Sequence, residues 1–422
     1  MKWFLMLIGL LGIIYLIGNA WRNETADQHL KRFFFPALIF KILAGWGAGL
    51  VYHYYYNGNG DSILFFNTSW ELAMAVINDP FSLKSIYSSN QEIWQGLDML
   101  NSRTFFFIVA LSIPTFFSAG IYWVASLYVS VISFFAVWYF VKSITFYYPR
   151  SEVLYASVVA FFFLPSAAFW SSGIFKECFS TVAIFLSLAS IIQMTHSSGR
   201  LKYKYATGAL VSIGLLLAIK YYLAGLLVPL IVVYLLKLKL NEAEGKLIQG
   251  AVVVVVVAIS LFALSFFSPN LNLSMLPEVV NREYLRKVVE TDPEGYVLYP
   301  NLNASWYGLI ISAPKAFFVG LFSPLSFSLD NPLKFMASIE NLIMIFVSII
   351  AIWKTFIGGK FNLSNEVFFL LSYVTIASIL LALTTPNIGT LSRYRVAYVP
   401  IFFFVNLVVL FSVKRSNSAD EK

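Results

Sequence analysis

Apolar runs long enough to cross a bilayer recur from one end of this 422-residue chain to the other. They fall at 3–20, 33–55, 117–141, 152–170, 178–195, 247–267, 335–353, 364–384 and 396–413. A hydrocarbon core about 30 Å thick takes roughly 20 residues of helix. Within lipid every backbone polar group must find its partner internally, so runs of this kind fold as helices. A further run at 205–236 is too long for one span, and Lys220-Tyr221-Tyr222 interrupts it, so it reads as two short spans meeting at a polar turn. The chain is 59% hydrophobic and 12% charged. Its mean hydropathy is +0.76, which no soluble domain of this size shows. The expected fold is all-α: one integral-membrane domain over 1–422 with about eleven transmembrane helices.

Lys and Arg set the expected orientation. Arg22, Lys31 and Arg32, then Lys142 and Arg150, Arg200 to Lys204, Lys237 to Lys246, Lys354 and Lys360, and Lys414 and Arg415 occupy alternate loops. Those loops are expected to be cytoplasmic. Asp61, Glu71, Asp79, Glu92, Asp98, Glu278 to Glu294 and Asp330 occupy the opposite set. The net charge of +8 is thus dispersed over short loops, which points to membrane lipid and not to nucleic acid. Met1 to Ala20 has features of a signal peptide, but the charge alternation favours an uncleaved first helix with its N-terminus outside.

Cys178 is the single cysteine, and the three histidines lie far apart, so neither disulfides nor a thiolate or histidine metal site is expected. No P-loop, GxGxxG after a strand, or HExxH occurs. Two long outer-face regions remain, 56–116 and 268–334. Each carries an apolar stretch poorly suited to spanning, Phe105–Phe117 with Pro114 and Trp306–Leu321 with Pro314 and Lys315. Both read as interfacial helices, with re-entrant segments as the alternative.

The candidate chemistry collects at the expected outer face. Asp61 follows Gly58 and Gly60, just past the second run. It is placed either to act as general base for an acceptor hydroxyl or hold a divalent cation, or simply to solvate a loop or cap a helix. Lys176 and Glu177 sit in the short turn between two runs, as a phosphate-binding charge and its partner or as a local ion pair. Lys220, flanked by apolar runs, either faces a cavity or snorkels to water. Arg393 and Arg395, in NIGTLSRYRVAYVPIFFF, share a face if the segment is extended, which suits bidentate binding of a phosphate or pyrophosphate. Tyr394 lies between them. Glu340 is an acid inside or near a span, a functional candidate by default or the counter-charge of a basic residue.

A span, an acid at its outer end, a long outer loop with an interfacial helix, then further spans: this order resembles the GT-C superfamily of membrane glycosyltransferases. The strings PSAAFWSSGIFKE, YYPRSEVLYASVVAFFFLPS, GTLSRYRVAYVPIFF and FSPLSFSLDNPLKFMASIEN also resemble polytopic proteins of bacterial surface-polysaccharide gene clusters. The resemblance implies a polyprenyl-phosphate-linked sugar donor, a glycan or lipid-linked acceptor, and Asp61 as the catalytic acid of the first outer loop. It also implies location in the bacterial inner membrane and, through Asp61, a possible Mg or Mn ion. GT-C enzymes often show an adjacent acidic pair there, whereas Asp61 stands alone with Glu71 and Asp79 further on.

The expected activity is transfer of a sugar, a hexosyltransferase-type reaction. Asp61 would act on the acceptor, with Lys176, Lys220, Arg393 and Arg395 on the departing lipid phosphate and Glu177, Glu340 and Tyr394 in support. Two alternatives stand beside it: a polysaccharide polymerase or ligase using undecaprenyl-diphosphate-linked units, and a flippase or transporter of lipid-linked glycans.

Overall fold

A computed structural model describes residues 2–24, 28–79, 102–238, 246–291, 295–327, 329–357 and 364–412. The described residues form an all-helical membrane protein, with no strand among them and a single isolated bridge between Tyr296 and Asn387. Among the described residues seven helices are long and apolar enough to cross a membrane: Trp3–Arg22, Gln28–Tyr55, Tyr122–Tyr147, Lys176–Thr195, Gly199–Lys237, Pro332–Ile357 and Asn365–Thr384. An eighth is added if Ile388–Ala397 and Val399–Phe411, bent by 61° at their junction, count as one broken span.

Eleven spans are thus not confirmed among the described residues, and two of the expected runs carry a local break. The 152–170 run breaks into Ser151–Phe163 and Pro165–Trp170, because Leu164 before the proline is extended at φ −70°, ψ 113°. The 396–413 run loses its first turn to a 3₁₀ segment, Arg395–Ala397, and Tyr398. The 247–267 run lies in the 20-residue helix Lys246–Ser265.

The interruption expected at Lys220 is present, with non-helical φ −141°, ψ 74° inside the 39-residue helical stretch Gly199–Lys237. Ser187 donates to Ser212 at 2.9 Å, so residues 199–219 run antiparallel to Lys176–Thr195. Tyr234 then lies beside Thr195, near Tyr148 and Glu366, which requires the chain to reverse at Lys220. A 14-residue helical advance would otherwise carry Tyr234 about 20 Å further away.

The long loop regions hold regular helices of their own. Asp61–Asn78 packs on Ser102–Phe117 through Phe65 against Phe107 (centroids 5.0 Å) and a Ser69–Thr115 hydrogen bond of 2.9 Å. Residues 80–101 of that region lie outside the described residues. Trp306–Phe322 lies against Asn365–Thr384, and Gly320 is needed there because any Cβ would meet the Ser378 backbone. Its Lys315, expected to snorkel to water, donates to the Leu298 carbonyl at 2.8 Å.

Small residues let the elements beneath the candidate site approach closely. The N–H of Gly173, at φ +73°, donates to Ser130 Oγ at 3.0 Å, and Gly45 faces both. Lys41, fully buried, donates to the Ser171 carbonyl at 2.9 Å and to the Ser171 hydroxyl, while Ser133 donates to the same carbonyl at 2.6 Å. These bonds hold the 171–175 turn that presents Lys176 and Glu177.

Candidate functional site

Glycines make the first part of the site. Gly58 and Gly60 adopt φ +74° and +127°, as a tight turn requires, and Gly60 is the residue before the Asp61–Asn78 helix. Asp61 is thus the first helical residue, where the helix dipole favours a carboxylate. Glu177 occupies the same kind of position in the first turn of Lys176–Thr195.

Arg393 joins the two. Its Nη1 donates to Asp61 Oδ2 at 2.8 Å, and its Nη2 donates to Glu177 Oε2 at 3.2 Å. Lys220 Nζ donates to Glu177 Oε1 at 2.8 Å and lies 4.2 Å from the Tyr394 ring centroid. The side chains of Glu177 and Lys220 are only 1% and 6% exposed, whereas that of Asp61 is 51% exposed. Lys176 completes the group, donating to Thr104 Oγ1 at 2.7 Å and standing 5.0 Å from the Phe65 ring centroid. Asp61, Lys176, Glu177, Lys220, Arg393 and Tyr394 therefore meet at one end of the helices, although 332 positions separate Asp61 from Arg393.

Aromatic rings wall this cluster. The Arg393 guanidinium carbon is 5.7 Å from the Trp170 ring and 5.8 Å from the Phe175 ring. Tyr222 packs on Tyr394, and Tyr52 packs on Phe175 and Tyr56. Burial and neighbouring Tyr55 push the Tyr56 phenol above its usual range, with Arg393 pulling the other way. Tyr56 is therefore a neutral hydroxyl at ordinary pH. To one side, Arg103 covers the Tyr221 ring at 4.7 Å, Asn270 donates to the Tyr221 hydroxyl at 3.1 Å, and Arg282 donates to Asn270 at 3.2 Å. Sequence reasoning missed Tyr52, Arg103, Thr104, Trp170 and Tyr222. The tyrosine run at 52–56 and Trp170 at the end of an apolar run were the available signals.

Arg395 does not converge with Arg393. Their segment is a helix, Ile388–Tyr394, followed by the 3₁₀ turn Arg395–Ala397, so residues two apart point in different directions. The Arg395 guanidinium, 6% exposed at residue level, donates to the carbonyls of Ser323 and Leu321 and to Asn341 Oδ1, the last at 2.8 Å. It satisfies carbonyls at the C-terminal end of Trp306–Phe322 and ties them to Pro332–Ile357. Glu340 is also apart from the cluster: it accepts the Ser166 N–H at 2.7 Å and the Ser166 hydroxyl, at the start of Pro165–Trp170. It forms no ion pair among the described residues.

This division has a measurable consequence. Arg395→Ala leaves two carbonyl acceptors and Asn341 short of a donor and should cost about 2–4 kcal/mol of stability. Thermal unfolding in detergent should show the loss. Unchanged unfolding would mean that the clamp contributes nothing.

A divalent cation is poorly served by this arrangement. Asp61 and Glu177 both turn toward the Arg393 guanidinium, and the described residues contain no group of three His, Cys, Asp or Glu placed to hold a metal. What the cluster offers is a set of cationic donors around one accessible carboxylate. No family model, no curated protein and no solved structure matches this chain.

Proposed function

We propose that this protein is a membrane glycosyltransferase that moves a sugar from a polyprenyl-phosphate-linked donor to a lipid-linked or surface glycan acceptor. The observation that carries the reading is Arg393 seated between half-exposed Asp61 and buried Glu177, with Lys220 and Lys176 beside them. Three cations against two carboxylates leave an excess of positive charge, suited to a phosphate. The charge alternation of the loops supports an outer-face site, and the resemblance to GT-C enzymes supports a bacterial inner membrane.

In this reading the bond between the sugar's anomeric carbon and the carrier phosphate breaks while a bond to the acceptor oxygen forms. Asp61 takes the acceptor hydroxyl's proton. Arg393, Lys220 and Lys176 stabilise the negative charge left on the lipid phosphate. Glu177 holds Arg393 and Lys220 in place, and Tyr394 covers Lys220. The wall of Trp170, Phe175 and Tyr52 supplies apolar surface for a sugar face or the first isoprene units.

A second reading, a polymerase or ligase using diphosphate-linked units, is favoured by one observation. Cationic groups extend beyond the cluster through Arg103 and Arg282 on either side of Tyr221, which suits a second phosphate.

The test is transfer of radiolabel from lipid-linked donors by the purified protein, comparing wild type with Asp61→Asn. Loss of a general base should lower the rate about 10²–10⁴-fold without unfolding the protein. Full activity of Asp61→Asn moves the assignment to the polymerase or ligase. Label that crosses a proteoliposome bilayer without being transferred makes the protein a transporter.

A further inference from the structure

The two carboxylates on Arg393 are not equivalent. Glu177 is 1% exposed and is also held by Lys220, so it cannot leave without stranding two buried cations. Asp61 is 51% exposed and stands at the start of a helix behind a glycine turn. Among the described residues its only ion pair is the one with Arg393 Nη1. Water reaches the Asp61 end of this pair and screens it, so the contact exchanges more readily than the buried one with Glu177. Arg393 itself is not saturated, since its buried Nε has no hydrogen-bond partner among the described residues.

Nη1 of Arg393 thus faces the accessible side of the cluster and already holds an oxyanion. The Trp170 and Phe175 rings form the wall behind the guanidinium, and Lys176 contributes a nearby positive charge. A phosphate oxygen arriving at Nη1 would meet the geometry that Asp61 Oδ2 now meets at 2.8 Å. We propose that Asp61 is the resting occupant of an anion seat on Arg393, and that a phosphate group displaces it to bind there. The inference rests on the reading of the cluster as a phosphate site, and it adds an order of events. While Asp61 is paired to Arg393, its carboxylate is tied up as a counter-ion. Substrate phosphate takes over the guanidinium, and the released carboxylate stands beside the bound phosphate, free to accept a proton. The base is thus freed only when the donor is bound.

Competition of this kind makes an unusual prediction: deleting a proposed catalytic group should improve ligand binding. The experiment is calorimetric titration of the detergent-solubilised full chain at constant ionic strength, with inorganic phosphate in one arm and a polyprenyl monophosphate in the other. Asp61→Asn should bind about three- to tenfold more tightly than wild type. Arg393→Lys should bind more weakly than wild type. Glu290→Gln, at the C-terminal end of the Leu276–Val289 helix, removes the same charge from a residue paired with Arg286 and Lys287 outside the cluster and should change the affinity less than about twofold.

Preference for the polyprenyl phosphate identifies a lipid carrier as occupant; equal binding in both arms identifies free phosphate. Unchanged or weaker binding by Asp61→Asn overturns the seat, as does Arg393→Lys binding like wild type. Tightening by Glu290→Gln equal to that of Asp61→Asn also overturns it, since the effect would then be bulk charge. Tighter binding by Asp61→Asn with no transfer by wild type keeps the seat and removes the transferase reading. Transfer by wild type with an unchanged Asp61→Asn affinity does the reverse.

Discussion

In the proposed transferase, Arg393→Lys should lower sugar transfer about 10²–10³-fold while leaving the protein folded. The expectation follows from geometry and not from charge, which the substitution keeps. A guanidinium is a planar fork, and here one prong reaches Asp61 at 2.8 Å while the other reaches Glu177 at 3.2 Å. An ammonium is a single point that can stay with one carboxylate only. If it stays with buried Glu177, the phosphate loses the donor that Nη1 supplies. If it moves to Asp61, Glu177 keeps only Lys220. Donors aimed at developing charge in such sites are each worth roughly 10²–10³ in rate. Rates measured on protein of matched monodispersity check the point. An Arg393→Lys variant within about tenfold of wild type would show that only the charge is used.

Glu177→Ala should instead fail at the level of folding, losing about 3–5 kcal/mol. Glu177 is the buried anion on which both Lys220 and Arg393 depend. Without it those two cations sit together among Trp170, Phe175, Tyr222 and Tyr394 with only half-exposed Asp61, on Arg393, to offset their charge. The damage should be relieved by removing one of them. The double variant Glu177→Met, Lys220→Met should unfold at a higher temperature than Glu177→Met alone, because a buried pair replaced by apolar groups is often neutral. Thermal denaturation in one detergent compares the variants. If the double variant is no more stable than the single one, Lys220 does not depend on Glu177 for its burial.

These two residues also show what could be read without coordinates. Glu177 stood out because so short a turn between two apolar runs keeps a charge pair close to the bilayer surface. Lys220 stood out because it breaks a run that could otherwise continue, and the break falls on that residue, at φ −141°. Asp61 was visible through its glycines, which the turn does use at positive φ. Each of those signals is local: a polar residue where apolar periodicity predicts none, or a glycine where the chain must turn.

Arg393 and Arg395 show the limit. Two positions apart, they look interchangeable in the sequence, and an extended backbone would have pointed them together. The chain there is helical, so one faces the Asp61 and Glu177 carboxylates while the other is consumed by backbone carbonyls near residue 323. The same holds for Glu340, whose partner Ser166 lies 174 positions away.

By itself, the sequence determined that this chain lives in a membrane as helices, because apolar runs of bilayer length permit no other backbone. It also determined that charge interrupts one run at Lys220 and stands beside the ends of others at Asp61, Lys176, Glu177 and Arg393, because charge so near the bilayer is costly and shows locally. Only the tertiary structure decided which of the charges meet. Pairing across as many as 332 positions depends on how helices cross and where they kink, and neither is written in the spacing of any one segment.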